Sequence, residues 1–208
     1  MPRCARCELH LRLCLCAELV PLALATRVVV LSSAKETRQA TNTGRLVPLA
    51  LAGGEVRILE RGAPPLPERA FAEPGRRTLL LFPGPGAREL DHEPGDARPI
   101  TLIVPDGTWR TARRMVGREP ALAALDCVRL APGPPSRYRL RSHPDEHCLA
   151  TFEAVARALG RLEGPPTGAR LERVFALFVE RTLFSRGRLG GRLPEGIARA
   201  GRAGAAHG

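Results

Sequence analysis

Five short apolar runs, each closed by turn-forming residues, constrain this chain more than any other feature. They are residues 26–31 (TRVVVL), 55–60 (EVRILE), 77–82 (RTLLLF), 99–104 (PITLIV) and 126–130 (DCVRL). Runs this short and this rich in Val, Ile and Leu read as β-strands. Helical periodicity occupies the stretches between and after them. Residues 46–51 lead up to Gly53-Gly54, and residues 109–118 follow a Pro-Asp-Gly-Thr turn. Residues 150–163 bring Phe152, Val155, Ala156 and Leu159 onto one face, and residues 169–184 do the same with Leu171, Val174, Phe175 and Phe178. Such stripes are core faces. Strands alternating with helices define an α/β domain with a mostly parallel sheet. In these sheets the ligand site lies beyond the carboxyl ends of the strands. Three loops stand there: residues 32–45, 82–87 and 105–109.

The chain has 208 residues and 44% hydrophobic content, enough for a conventional core, so wholesale disorder is excluded. The expected organisation is a head over residues 1–20, a main domain over 21–184 and a flexible Arg/Gly-rich tail over 185–208. No apolar run approaches the roughly 20 residues of a membrane helix. Cysteines stand where a signal peptide needs apolar residues, so the expected compartment is the cytoplasm, with no membrane partner. The formal charge is +11, and of 32 basic residues only Lys35 is not arginine. Clustered cations suit a polyanionic partner, but arginine-rich, GC-rich coding produces the same excess, and composition leaves both open. Aromatic residues make up 4%, which argues against a base-stacking platform.

The head carries Cys4-x2-Cys7-x6-Cys14-x-Cys16. Two close pairs on tight turns can surround one tetrahedral Zn²⁺, with His10 as a spare donor; a disulfide pair or free thiols are the alternatives. A closed four-thiolate site has no open position, so its metal is structural. Cys127 and Cys148 stand apart and read as small buried hydrophobes.

Pro105-Asp106-Gly107-Thr108-Trp109 runs from a strand into a helix. Asp106 or Thr108 can cap that helix, or Asp106 can face the ligand crevice as a base or acceptor. Around it stand, in order, Asn42-Thr43-Gly44-Arg45-Leu46, Phe82-Pro83-Gly84-Pro85-Gly86-Ala87, Ser136-x-Tyr138-Arg139-x-Arg141 and Leu149-Ala150-Thr151-x-Glu153-Ala154. With the head cysteines, this ordered set resembles the DTW-domain tRNA-uridine aminocarboxypropyltransferases over about residues 4–160. The resemblance implies a knotted, SPOUT-like domain. It implies transfer of the 3-amino-3-carboxypropyl group of S-adenosylmethionine to N3 of a tRNA uridine, with release of 5'-methylthioadenosine. One departure stands out: Ser33-Ala34 precede Glu36 where the family has His-Pro, so no role for that histidine exists here.

Given that reaction, N3 must lose a proton, and Asp106 and Glu153 are the candidate catalytic carboxylates; their bland roles are holding the loop and lying on a helix surface. Arg139 and Arg141, with Ser136, suit the carboxylate of the moving arm, or else tRNA phosphates. Thr151 opens a helix whose N–H groups can receive a carboxylate, or is an ordinary N-cap. Phe82, Pro83, Gly84 and Gly86 fit an adenosine-binding loop or a plain turn. Thr108 and Trp109 stand beside Asp106, and Trp109 can pack on the nucleoside or in the core. Arg45, Arg110, Arg113, Arg114 and Arg137 are candidates for RNA phosphates or a solvated basic face. A SPOUT-like RNA methyltransferase and a non-catalytic zinc-containing RNA-binding protein are the competing readings.

Overall fold

The computed structural model describes residues 2–60, 62–91, 96–140, 148–190 and 192–197; Arg141 lies outside them. The elements in chain order are β1 (Arg27–Ser32), α1 (Ala34–Thr37), α2 (Val47–Ala50), β2 (Gly54–Ile58), β3 (Arg77–Leu81), β4 (Arg88–Glu89), β5 (Ile100–Pro105), α3 (Trp109–Arg118), α4 (Pro120–Ala123), β6 (Asp126–Arg129), α5 (Thr151–Leu162) and α6 (Pro165–Ser185). Among the described residues the sheet has six strands in the order β2-β1-β5-β3-β6-β4, and every pairing is parallel. All five expected strands form. The two-residue β4 was not legible because so short a strand has no period; it exists through pairing Arg88 with Val128 and Glu89 with Arg129. The helix expected over 46–51 shortens to α2, entered through a 3₁₀ turn at Gly44–Leu46, because Pro48 sits in its first turn and Leu51 is already extended.

The central strands are apolar on both faces because both faces are covered. Val28 and Val30 of β1, Leu79 and Leu81 of β3, and Leu102 and Val104 of β5 pack beneath α2, α5 and α6. Their neighbours Val29, Leu31, Leu80 and Ile103 pack on the other side with Ala112, Met115, Ala121 and Leu122 of α3 and α4. Helices α5 and α6 touch through backbone: a Cβ on Gly168 would lie 2.8 Å from the Cα of Gly160. That approach brings Phe152, Val155, Phe175 and Phe178 into one fully buried cluster.

The cysteine head shares this core rather than forming its own. Cys7, Leu9, Leu13 and Leu15 belong to the same cluster as β1 and α6. Arg181 of α6 is fully buried and locks the junction, donating to the carbonyl of Cys14 at 3.0 Å, to Glu18 at 2.6 Å and to the carbonyl of Glu195 at 3.1 Å. Residues 186–190 and 192–197 fold back over α6. Leu189 and Ile197 pack on the core, and Arg192 pairs with Glu180 and Arg173 with Glu195. No helix among the described residues is long and apolar enough to cross a membrane.

The strand order places the crevice. The chain leaves β1 for β2 on one side and leaves β5 for β6 on the other, while β1 and β5 are adjacent. Connections that diverge from neighbouring strands open a gap above their carboxyl ends. Asp106, the residue after β5, stands in that gap, its N–H donating to the carbonyl of Leu31 at 2.8 Å.

Candidate active site

Asp106 is almost completely buried and holds three loops together. Its Oδ2 accepts from Ser32 Oγ at 2.6 Å and from Asn42 Nδ2 at 2.6 Å, and its Oδ1 accepts from Thr151 Oγ1 at 2.5 Å. All three donors are neutral. Asp106 does not cap α3; Thr108 does, accepting from the N–H of Thr111. Thr151 is likewise no N-cap. That position belongs to Ala150, and the backbone N–H of Phe152 is satisfied instead by Thr43 Oγ1 at 3.2 Å. The Asn42–Thr43–Gly44 segment therefore docks onto the start of α5. Gly44 is required for that fit: a Cβ there would meet Val30 Cγ1 at 3.1 Å and the Asp106 carboxylate at 3.3 Å. Gly44→Ala is expected to cost about 1–3 kcal/mol, read by urea unfolding, and to weaken ligand binding in the crevice along with it.

Around Asp106 opens a cavity of about 940 Å³. One wall is apolar, with Leu81, Phe82, Val104, Trp109 and Leu130. Its polar groups include Glu36, Asn42, Asp106, Thr151 and three arginines, Arg110, Arg129 and Arg157. Phe82 and Trp109 meet at 5.5 Å between ring centroids, and Trp109 stays 39% exposed at the cavity wall, where a flat ligand can reach it. Trp109 Nε1 donates to Cys148 Sγ at 2.8 Å, and Cys127 Sγ donates to the carbonyl of Phe82 at 2.9 Å. Both outlying cysteines thus position the aromatic wall, in addition to filling space. Tyr138, buried, donates its hydroxyl to the carbonyl of Thr41 at 2.8 Å and closes the side of the cavity next to α5.

Glu153 is buried but does not line the cavity. It accepts from Ser136 Oγ at 2.6 Å, from the N–H of Arg137 at 2.9 Å, from Arg157 at 3.3 Å and, weakly, from the N–H of Ala150 at 3.4 Å. With about four acceptor positions on a carboxylate, none is left for a substrate. Glu153 and Ser136 together staple the 136–138 loop to α5. Arg139 lies on another surface, exposed beside Arg173, Arg188 and Arg192, because flanking Tyr138 and Leu140 turn inward. Phe82, Pro83, Thr108, Trp109, Arg110 and Thr151 line the cavity, whereas Gly84 and Gly86 form the turn behind it. Arg113, Arg114 and Arg137 are exposed. Arg45 is not: it donates to the carbonyls of Thr37, Gln39 and Asn42 and pairs with Glu8 of the head.

Four groups at the site carried no role in the sequence reading, and three of them, Glu36, Asn42 and Arg157, line the cavity. Ser32 and Asn42 position Asp106. Glu36 enters through Ser33, which caps α1 by accepting the N–H of Glu36 at 3.3 Å, a spacing that is itself a legible helix-start signal. Arg157 stands at i+3 from Ala154 and i+6 from Thr151, one face of α5.

In the head, the sulfurs of Cys4, Cys7, Cys14 and Cys16 lie within 4.8 Å of one another, so the group could hold a metal ion. Cys4–Cys16 and Cys7–Cys14 are each 3.8 Å apart, far from a disulfide bond and close to the edge of about 3.8 Å that four thiolates form around zinc at about 2.3 Å. Backbone N–H groups of Cys7 and Arg6 bring the Cys4 thiol down to about 6, whereas burial pushes Cys14 and Cys16 up.

The DTW domain model matches residues 1–183. This chain belongs to the DTW-domain family. Its relatives include tRNA-uridine aminocarboxypropyltransferase 2 of Drosophila melanogaster, 31% identical over 79% of this chain and 68% of that protein. The protein of the same name from Macaca fascicularis is 30% identical over 78% of this chain, which spans 57% of it. tRNA-uridine aminocarboxypropyltransferase A of Arabidopsis thaliana is 29% identical over 82% of this chain and 75% of its own length. No solved structure matches. In this DTW domain Ser33 caps the short helix that carries Glu36 to the cavity.

Proposed function

We propose that this DTW domain transfers the 3-amino-3-carboxypropyl group of S-adenosylmethionine to N3 of a uridine in tRNA, releasing 5'-methylthioadenosine. The observation that carries the reading is the donor-held carboxylate of Asp106 at a strand switch point, lining a cavity that is apolar on one wall and both acidic and cationic on the other. A volume of about 940 Å³ lies within the range of cofactor sites. The Phe82–Trp109 wall suits an adenine or methylthio group, Glu36 an ammonium or sulfonium, and the arginines a carboxylate. When bound, S-adenosylmethionine supplies an electrophilic Cγ: N3 forms the bond to it, the Cγ–S pair leaves with 5'-methylthioadenosine, and the N3 proton goes to a carboxylate.

Asp106 is the residue assigned to that proton. Three of its roughly four acceptor positions are filled by neutral donors, which fix its direction and leave one on Oδ1 for the uridine. Glu153 acts on the loop rather than the substrate. Arg110 at the cavity and exposed Arg113, Arg114 and Arg137 would meet tRNA phosphates. The four head cysteines would hold a structural zinc.

The test is incubation with S-adenosylmethionine and unmodified tRNA, followed by mass spectrometry of nucleosides and of the adenosine by-product. The expected pair is aminocarboxypropyluridine and 5'-methylthioadenosine. A methylated nucleoside with S-adenosylhomocysteine, or RNA binding without consumption of the donor, would overturn the reading.

A further inference from the structure

The cavity is lined by a cation whose hydrogen-bonding capacity the fold uses only in part. Arg157 reaches the cavity from α5, its side chain only 17% exposed. One terminal nitrogen, Nη2, is committed to Glu153 at 3.3 Å and, at 3.4 Å, to the carbonyl of Pro135. The Nε–H is buried with no hydrogen-bond partner among the described residues. Nη1 lies against the 131–135 loop, 3.3 Å from where a Cβ on Gly133 would stand, so the guanidinium is enclosed by backbone on that side. A buried guanidinium N–H without an acceptor is unfavourable in a folded protein. Arg181 Nε is buried in the same way, but it lies at the head junction, whereas Arg157 lines the cavity, where a ligand can supply the acceptor.

The position fits the polar end of an amino acid. Glu153, four residues earlier on the helix, draws the guanidinium back towards the start of α5, where Thr151 holds Asp106. A guanidinium with one N–H to spare thus stands beside the strip Ala150, Thr151 and Ala154, all of which line the cavity. That is complementary to the carboxylate of an amino-acid arm. Arg110 and Arg129, the other cavity arginines, are exposed and thus hydrated, and give weaker, salt-screened attraction.

Resting on the transfer reaction above, we propose that Arg157 is the subsite for the donor's α-carboxylate, so that this arm is held by its far end and its Cγ is presented in place of the methyl group. Glu153 is then the positioning residue for Arg157. The role considered for Arg139 passes to a residue of α5, because Arg139 faces a different surface.

The subsite is tested by binding, with ligands that differ only in the arm. Calorimetry is run on the full chain with S-adenosylmethionine, its decarboxylated form and 5'-methylthioadenosine. The native protein is expected to hold S-adenosylmethionine about 10- to 100-fold more tightly than the decarboxylated form, the range of a charge-assisted hydrogen bond. In Arg157→Gln that ratio is expected to collapse towards one, while 5'-methylthioadenosine binds as before, which certifies the fold. Arg157→Lys is expected to restore part of the ratio, since it keeps the charge but loses the Nε–H. tRNA affinity separates the two sources of an oxyanion. An unchanged tRNA affinity with a lost ratio supports the proposal; a preserved ratio with weakened tRNA binding would assign Arg157 to phosphate and overturn it. Failure of the native protein to bind any of the three ligands would instead sink the transferase reading itself.

Discussion

Asp106→Asn is expected to lower aminocarboxypropyl transfer by at least about 100-fold while leaving the fold and 5'-methylthioadenosine binding intact. The geometry explains the separation. Ser32 and Asn42 both donate to Oδ2, which the amide oxygen can replace, and Thr151 donates to Oδ1, where its hydroxyl can turn to accept from the new NH₂. The substitution therefore removes negative charge and the last acceptor position but keeps the loops together. Asp106→Ala removes both. It leaves Ser32, Asn42 and Thr151 as donors in a closed crevice, and a loss of about 3 kcal/mol or more in urea unfolding is expected with the loss of activity. Single-turnover transfer and unfolding curves on both variants decide the matter. If Asp106→Asn transfers at the native rate, the carboxylate only holds the loops and the proton goes elsewhere, with Glu36 the next acidic group lining the cavity.

Removing metal from the head is expected to have the second large effect. Stripping with a chelator, or Cys7→Ser, should lower the thermal midpoint by about 10 °C or more, since a loss of several kcal/mol is spread over a domain of this size. The head is not an appendage. Cys7, Leu9, Leu13 and Leu15 are part of the core beneath the sheet, and Arg181 is buried against the carbonyl of Cys14. Transfer should fall as well, because Glu8, the neighbour of Cys7, pairs with Arg45, whose guanidinium holds the backbone of the Asn42 loop. Scanning fluorimetry with and without chelator, beside metal analysis of the purified protein, reads both consequences. A protein that contains no metal and melts at the same temperature with or without chelator would remove the metal from the account.

The fold was legible wherever a residue pattern repeated. The helix expected over 109–118 is α3 to the residue, and β1, β3 and β5 stand within one residue of the apolar runs. What escaped was short: β4, α1 and α4 are two to four residues long, too short for periodicity, and exist through pairing (β4), a serine cap (α1) or a proline in the first turn (α4). The site was legible as a set of loops but not as a set of roles. Asp106 and Thr151 do meet, and the ordered motifs around them surround one cavity. Glu153 and Ser136 also meet, but as each other's partners behind the cavity. Arg139 and Arg45 look alike in sequence as basic loop residues. One faces away because its neighbours are buried, and the other is occupied by carbonyls. Neither outcome shows in the residue type, since each depends on how the irregular loop that carries the arginine is folded.

By itself, then, the sequence determined the layered architecture, because hydrophobic period and turn chemistry are local properties. The four cysteines determined a common cluster for the same reason, their pairs being close in the chain. It determined the family too, through motifs in order. Only the tertiary structure decided which polar groups have capacity to spare. Asp106 has an acceptor position left and Glu153 has none. Arg157 has an N–H unsatisfied and Arg45 has its donors engaged. Hydrogen-bond capacity is spent on partners that lie dozens of residues away, Thr151 on Asp106 and Tyr138 on Thr41 among them. The charge excess divides by place: Arg181 and Arg45, bound to carbonyls and paired with Glu18 and Glu8, hold the fold, while Arg157 at the cavity and the exposed arginines of α3 remain for ligands.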